Sequence, residues 1–206
     1  MPRTLFAALA TLLAIGMSGC SPSDRGTAQS TAPTLPIVPY APSTTSKSPA
    51  TSAATDYRRL LLSAADLTDA DDTFTERSKE SQPNGTPGAS AFFVNGGDDR
   101  AISDTFLVYP ESATATATLK QAAGTLPTLV AGGTPTPLAV GTDGVTISGT
   151  YPDQDKAVTL VFFTEGRALV RLEFQSATGD TTMDQFVTNV AKMQQIALRI
   201  GLAEPQ

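Results

Sequence analysis

Apolar residues recur along this chain in two rhythms. Near the C-terminus Phe186, Val190, Met193, Ala197 and Ile200 recur at spacings of four and three, which predicts an amphipathic helix. Thr181-Thr182 precedes the stripe, Thr182 and Gln185 have the form of a capping box, and Gly201 is a stop signal. A second helix is predicted after Pro110-Glu111-Ser112, where Ala115, Leu119, Ala122, Ala123 and Leu126 share one face. Gly124 and Pro127 are expected to end or break it. Period two governs Arg167 to Gln175: Ala168, Val170, Leu172 and Phe174 fall on one face, Arg171 and Glu173 on the other. Ala157 to Phe163 reads as one apolar run, the pattern of a strand covered on both faces.

Weaker signals fill in the rest. Tyr57-Arg-Arg-Leu-Leu-Leu predicts a helical turn or two, and Ser63-Ala-Ala-Asp66 a capped short helix. Thr73 to Lys79, Ser90 to Val94, Ala101 to Tyr109 and Val145 to Tyr151 are predicted strands. Asn95-Gly-Gly-Asp-Asp reads as a hairpin turn, and Glu165-Gly166 as a tighter one. Pro83-Asn-Gly-Thr-Pro-Gly and Gly132-Gly-Thr-Pro-Thr-Pro read as turns. Asn84-Gly-Thr86 has the form of a glycosylation triplet and is read as part of the first of them.

Most links between neighbouring strands are too short for a crossover helix. The expected fold is therefore α+β, a mainly antiparallel sheet with helices packed on it. The C-terminal stripe is expected to cover the face of Ala168, Val170, Leu172 and Phe174. The last hairpin has two possible phases. A two-residue loop puts Val161 and Phe163 beside Val170, and a three-residue loop puts Leu160 and Phe162 there. Either phase leaves a second apolar set. The N-terminal helices and the Ala-rich helix cover it, or part of it lines a cleft for an acyl chain or an apolar partner segment. Phe92, Tyr151, Leu160, Phe162 and Leu169 are the candidates for that lining.

The N-terminus carries a different message. Arg3, the apolar run from Leu5 to Gly16 and Met17-Ser18-Gly19 form a signal peptide over residues 1–19. Cys20, the single cysteine, follows directly and resembles the end of a bacterial lipobox, with Met17 where Leu is usual. The resemblance implies acylation of the Cys20 thiol and cleavage before it. Leu5 to Met17 is shorter than the roughly 20 residues of a membrane-spanning helix. Residues 20–55 are rich in Ser, Thr, Pro and Ala, too apolar-poor to form a core, and read as a tether. Leu35, Ile37, Val38 and Tyr40 interrupt it. Residues 56–206 are expected to fold as a single domain.

Composition narrows the functional classes. The chain has 206 residues and a net charge of −6, which argues against nucleic acid and against electrostatic docking on anionic lipid. Contact with the membrane is therefore expected through acyl groups on Cys20, at the extracytoplasmic face. With one cysteine, no disulfide can form within the chain. Histidine is absent, which removes Ser-His-Asp and Cys-His catalysis and imidazole-ligated zinc. No glycine-rich phosphate loop or dinucleotide fingerprint occurs, so no cofactor and no enzymatic activity are expected.

Two groups of acidic residues are candidates for cation sites. Asp66, Asp69, Asp71 and Asp72 lack the spacing, the glycine and the distal Glu of a calcium loop, and read as a solvated acidic loop. Asp98, Asp99 and Asp104 receive the same reading, with Asp98-Asp99 as turn chemistry. No metal site is expected.

From Tyr109 to Ile200 the order is a helix with Ala-Ala-Gly124-Thr-Leu-Pro, then Ser148-Gly149-Thr-Tyr151, an apolar strand, a second strand and a closing helix. This resembles the mycobacterial LpqN/LpqT group of lipoproteins, over about half the chain. The resemblance implies a Mog1/PsbP-like fold and a non-catalytic envelope protein that binds an apolar or lipid ligand. An anchored adaptor docking on an envelope protein complex is the alternative. The tether resembles those of actinobacterial lipoproteins, which implies O-mannosylation. A second likeness, to exported sensor-like domains of mycobacterial lipoproteins and receptor kinases, is weaker, because those usually carry disulfides.

Overall fold

The structure, a computed structural model, describes residues 55–69 and 72–203. The expected signal peptide, Cys20, the tether and Asp71 lie outside the described residues. Seven strands form one sheet: β1 (Phe74–Ser81), β2 (Gly88–Asn95), β3 (Ala101–Val108), β4 (Thr136–Pro137), β5 (Thr142–Thr150), β6 (Lys156–Glu165) and β7 (Ala168–Ala177). Their order is β1-β2-β3-β7-β6-β5-β4, and every neighbouring pair is antiparallel. Three α-helices accompany them: α1 (Ala64–Leu67), α2 (Ser112–Leu129) and α3 (Asp184–Gly201). The α+β class read from the sequence is the one observed.

The register of the last hairpin decides which side chains share a face. Glu165 pairs with Ala168 and Phe163 with Val170, so the loop is Gly166-Arg167, the two-residue alternative. Val161 and Phe163 therefore join Ala168, Val170, Leu172 and Phe174 on one face. That face also carries Phe93 of β2 and Ile102 and Phe106 of β3, all essentially inaccessible. Val187, Val190, Ala191 and Leu198 of α3 cover it, together with Leu60, Leu61 and Leu62 of the N-terminal segment.

The opposite face is divided. Leu119 and Leu126 of α2 and Val130 just beyond it bury Ile147, Val158, Leu160, Phe162 and Leu169. The helix packs on β5, β6 and β7. Over β2 and β3 the same face carries Phe92, Ser103 and Thr105, none of them fully buried.

Four expectations are corrected. First, α2 runs unbroken through Gly124 and Pro127. Proline removes one N–H and crowds the carbonyl four residues back. Here the fully buried Leu126 and Val130 hold the last turn on the sheet, and Val130 N–H closes it on the Leu126 carbonyl at 3.1 Å. Second, α3 starts at Asp184 with Met183, a side chain that cannot cap, at the N-cap position; Thr182 lies one residue outside it and is buried. Third, its inward stripe is Val187, Val190, Ala191, Gln194 and Leu198; Phe186 and Met193 flank the stripe, and Ile200 is 73% exposed. The expected stripe was rotated because Gln194, a polar residue, occupies an inward position. Fourth, the Gly132 turn region contains the two-residue strand β4, which pairs with β5.

Two glycines have packing reasons. Gly201 is the last residue of α3, and a Cβ there would lie 2.1 Å from Leu60 Cδ2. The stop signal is thus also the seat of the N-terminal segment. At Gly149 a Cβ would lie 2.3 Å from the Ala131 carbonyl oxygen. Ala131 bridges to Thr150, so the chain leaving α2 crosses β5 at backbone contact distance. On the far edge, β1 has a bulge between Glu76 and Ser78 and exposes most of its side chains.

Candidate functional site

At the end of the sheet where β3 and β7 meet the start of α3, the first face opens into a pocket of about 210 Å³. Its apolar part is Phe74, Ile102, Phe174, Met183 and Phe186. The aromatic rings are mutually fixed: Phe174 and Phe186 meet edge to face at 6.1 Å, and Phe74 and Phe186 stack at 6.4 Å. Met183 at its lining is 64% exposed. The volume lies below the roughly 300–1,000 Å³ of drug-sized ligand sites, so it fits a small apolar group or one end of a longer ligand.

The polar part of the pocket is built on Arg100. Its guanidinium reaches Asp72 (Nε to Oδ2, 3.2 Å) and Asp180 (Nη2 to Oδ2, 2.5 Å). Asn95, buried at the end of β2, fixes this arrangement. Its Nδ2 donates to Asp72 and Asp99, both at 2.7 Å, and its Oδ1 accepts the N–H groups of Asp99 and Arg100. The β2–β3 turn therefore holds both the cation and one of its carboxylates. Asp98 adopts a left-handed φ of 55° in that turn, as its turn reading predicted. Among the described residues no group of three or more acidic, His or Cys side chains is placed to hold a metal ion. Asp66 is tied to Ser63, whose backbone N–H and hydroxyl donate to Oδ2 at 2.8 and 2.7 Å. These bonds lower the Asp66 pKa from its ordinary value.

The residues proposed from sequence to line a cleft fall elsewhere. Leu160, Phe162 and Leu169 are buried beneath α2 and pack with Leu119 and Leu126. They are core rather than lining, because the Ala-rich helix continues past Pro127 and covers them. Tyr151 is half-buried beside this cluster, and its hydroxyl donates to Glu173 Oε1. Burial, then the Glu173 hydrogen bond, raises the Tyr151 pKa above its ordinary value. Phe92 lies on the same face at 37% exposure, two strands away from Glu173: it pairs with Ser103, which pairs with Glu173. The five candidates thus share a face but do not converge on one cavity.

Sequence reasoning missed three features. Glu173, placed with Arg171 on the second face and given no role there, is buried and receives bonds from Tyr151, Arg171 and Gln175. The Phe74–Phe174–Phe186 pocket joins residues too distant in sequence to show a motif. Asp104, read as a solvated residue, is 1% exposed. Its Oδ2 accepts the Leu62 N–H at 3.3 Å and its Oδ1 has no partner. Burial pushes its pKa up to about 7, against smaller lowering effects from Leu62 N–H and Lys79. The signal was present: Asp104 alternates in phase with Ile102, Phe106 and Val108, so the strand pattern carries it inward.

No protein-family model matches the chain, and no curated protein matches it. Among solved structures, the extracellular domain of PknH from Mycobacterium tuberculosis is similar at 10% identity and a TM-score of 0.47. The match covers 70% of this chain and 98% of that domain. A likeness this slight carries nothing about function. Among the described residues, no helix is long and apolar enough to cross a membrane.

Proposed function

We propose that this chain is a non-catalytic envelope lipoprotein of the LpqN/LpqT kind, with a Mog1/PsbP-like fold, anchored through acyl groups on Cys20 outside the cytoplasmic membrane. It binds an apolar or lipid ligand, and the ligand's apolar end enters the Phe74–Phe174–Phe186 pocket. The observation that carries this reading is the pocket itself, an aromatic floor opening beside the Arg100 ion pairs. Such a site has the usual form of a small-molecule site, apolar with a few placed polar groups. The absence of histidine supports a binding role over a catalytic one. The adaptor alternative draws on one observation, the exposed Ile196 and Ile200 one turn apart on the outer side of α3.

Native mass spectrometry of the full chain, purified under mild conditions from an actinobacterial host, tests the proposal. The expected result is a discrete added mass that is lost on denaturation. Met183→Glu puts a charge at an exposed pocket residue and should reduce the liganded fraction at least tenfold without loss of fold. A clean unliganded mass in the parent chain overturns the binding reading and favours the adaptor.

A further inference from the structure

Two buried polar side chains grip the same three residues of the N-terminal segment. Asp104 on β3 accepts the Leu62 N–H through Oδ2, and Gln194 on α3 donates through Nε2 to the Leu60 carbonyl at 3.0 Å. Both side chains are essentially inaccessible. Each also has an oxygen with no partner, Asp104 Oδ1 and Gln194 Oε1. Two buried acceptors left over beside one peptide are unusual in folded proteins. A proton on Asp104 turns one of them into a donor. The Leu62 bond is also long for one made by a full carboxylate, which ordinarily binds its donors closer.

We infer that Asp104, held as the neutral acid, works with Gln194 as a clasp on Leu60–Leu62, and that loss of its proton favours release of the N-terminal segment from the sheet. The segment runs through the short turn Arg58–Leu60 into α1, and both covering elements are short. Its hold includes the apolar packing of Leu60, Leu61, Leu62 and Leu67, the edge contact of Tyr57 with Phe106, these two buried polar contacts, and the less buried bonds of Arg59 to the Gly201 carbonyl and of Phe74 N–H to Thr68. Separation exposes Asp104 to water, where it ionises as an ordinary carboxyl.

The charges around Asp104 set the sense of the effect. Lys79 on β1 faces it and favours ionisation, but Lys79 is itself paired with Glu76 at 2.8 Å. The register neighbours Ala91 on β2 and Leu172 on β7 carry no charge, and Gln194 on α3 is neutral. In the segment above, Arg58 is paired with Asp56, Arg59 reaches the Gly201 carbonyl and Asp66 is held by Ser63. Burial therefore dominates, and the clasped state retains the proton that the released state gives up. The released fraction rises about tenfold per pH unit between the ordinary carboxyl pKa of 3.8 and about 7, then levels off.

Amide hydrogen exchange of the full chain from pH 5 to 8.5, corrected for the intrinsic pH dependence of exchange, tests this. Opening of Leu61, Leu62 and Ser63 should rise about tenfold between pH 5 and 6 and level off above 7, and should exceed opening of the β6 amides at least tenfold. Asp104→Asn should abolish the rise. Gln194→Ala should raise opening by a constant factor at every pH. A flat parent profile, an unchanged slope in Asp104→Asn, or segment amides that open only together with β6 would overturn the clasp. Should Asp104→Asn fail to fold, the carboxyl carbon shift of Asp104 in the parent chain decides: a midpoint near 7 supports the inference, and one near 4 overturns it.

Discussion

Leu160→Ala asks whether the second face of the sheet is core or ligand cleft. Leu160 is wholly inaccessible, stands opposite Ile147 on β5 and Glu173 on β7, and lies beneath Leu119 and Leu126. The substitution removes three carbons, a transfer loss of about 2.4 kcal/mol at ~0.8 kcal/mol per carbon. Neighbouring strands and α2 hold the site open on all sides, so a cavity term adds to this. A total of about 3–4 kcal/mol is expected, inside the range of measured buried Leu→Ala changes. Urea denaturation followed by circular dichroism reads it as a lowered midpoint at constant slope. A double cycle with Leu119→Ala should show coupling of about 0.5 kcal/mol or more, since the two side chains pack in one cluster. A loss below about 1 kcal/mol, with additive singles, would refute the packing of α2 on this face. It would return Leu160, Phe162 and Leu169 to the role of a cleft lining.

Two other expectations concern stability. The Asp104 carboxyl titrates at about 7 in the folded chain against 3.8 ordinarily, so the folded state binds more protons across that window. Its contribution is complete below 3.8 and is lost as pH rises through 7; at about 1.36 kcal/mol per unit the loss approaches ~4 kcal/mol and then levels off. Asp104→Asn should lack this fall, and denaturation of both chains at pH 5, 7 and 8.5 measures the difference; parallel curves would contradict the assignment. Gly149→Ala should lower stability by about 2 kcal/mol or more, because its Cβ must displace the Ala131 backbone. A change within about 0.5 kcal/mol in a thermal melt would show that the crossing of the chain over β5 is loose.

Period was the most legible property of this sequence. The alternation of Ala168 to Phe174, the apolar run of β6 and the apolar face of α2 all fixed elements whose burial matches. Where a stronger tertiary force acted, local signals failed. Pro127 did not end α2, because Leu126 and Val130 are buried there. Thr182 did not cap α3, because the helix begins one residue later and puts Met183 at the cap position. The hairpin phase was undecidable until a two-residue loop set it. The pocket was less visible than the fold. Its aromatic floor joins Phe74 of β1 and Phe174 of β7 through Phe186 of α3, which no spacing in the chain encodes. Asp104 was legible in principle, since its strand phase points inward; it was passed over because carboxylates are so seldom buried.

The two ends of the sheet differ in construction but share a consequence. At one, β1 presents Glu76, Arg77, Lys79 and Glu80 along a bulged strand. At the other, β4 offers only Thr136 and Pro137, the second without an N–H to give. Neither rim is a long, flat template on which another chain could lay down a further strand. Strand addition between copies is therefore disfavoured along β1 and at β4.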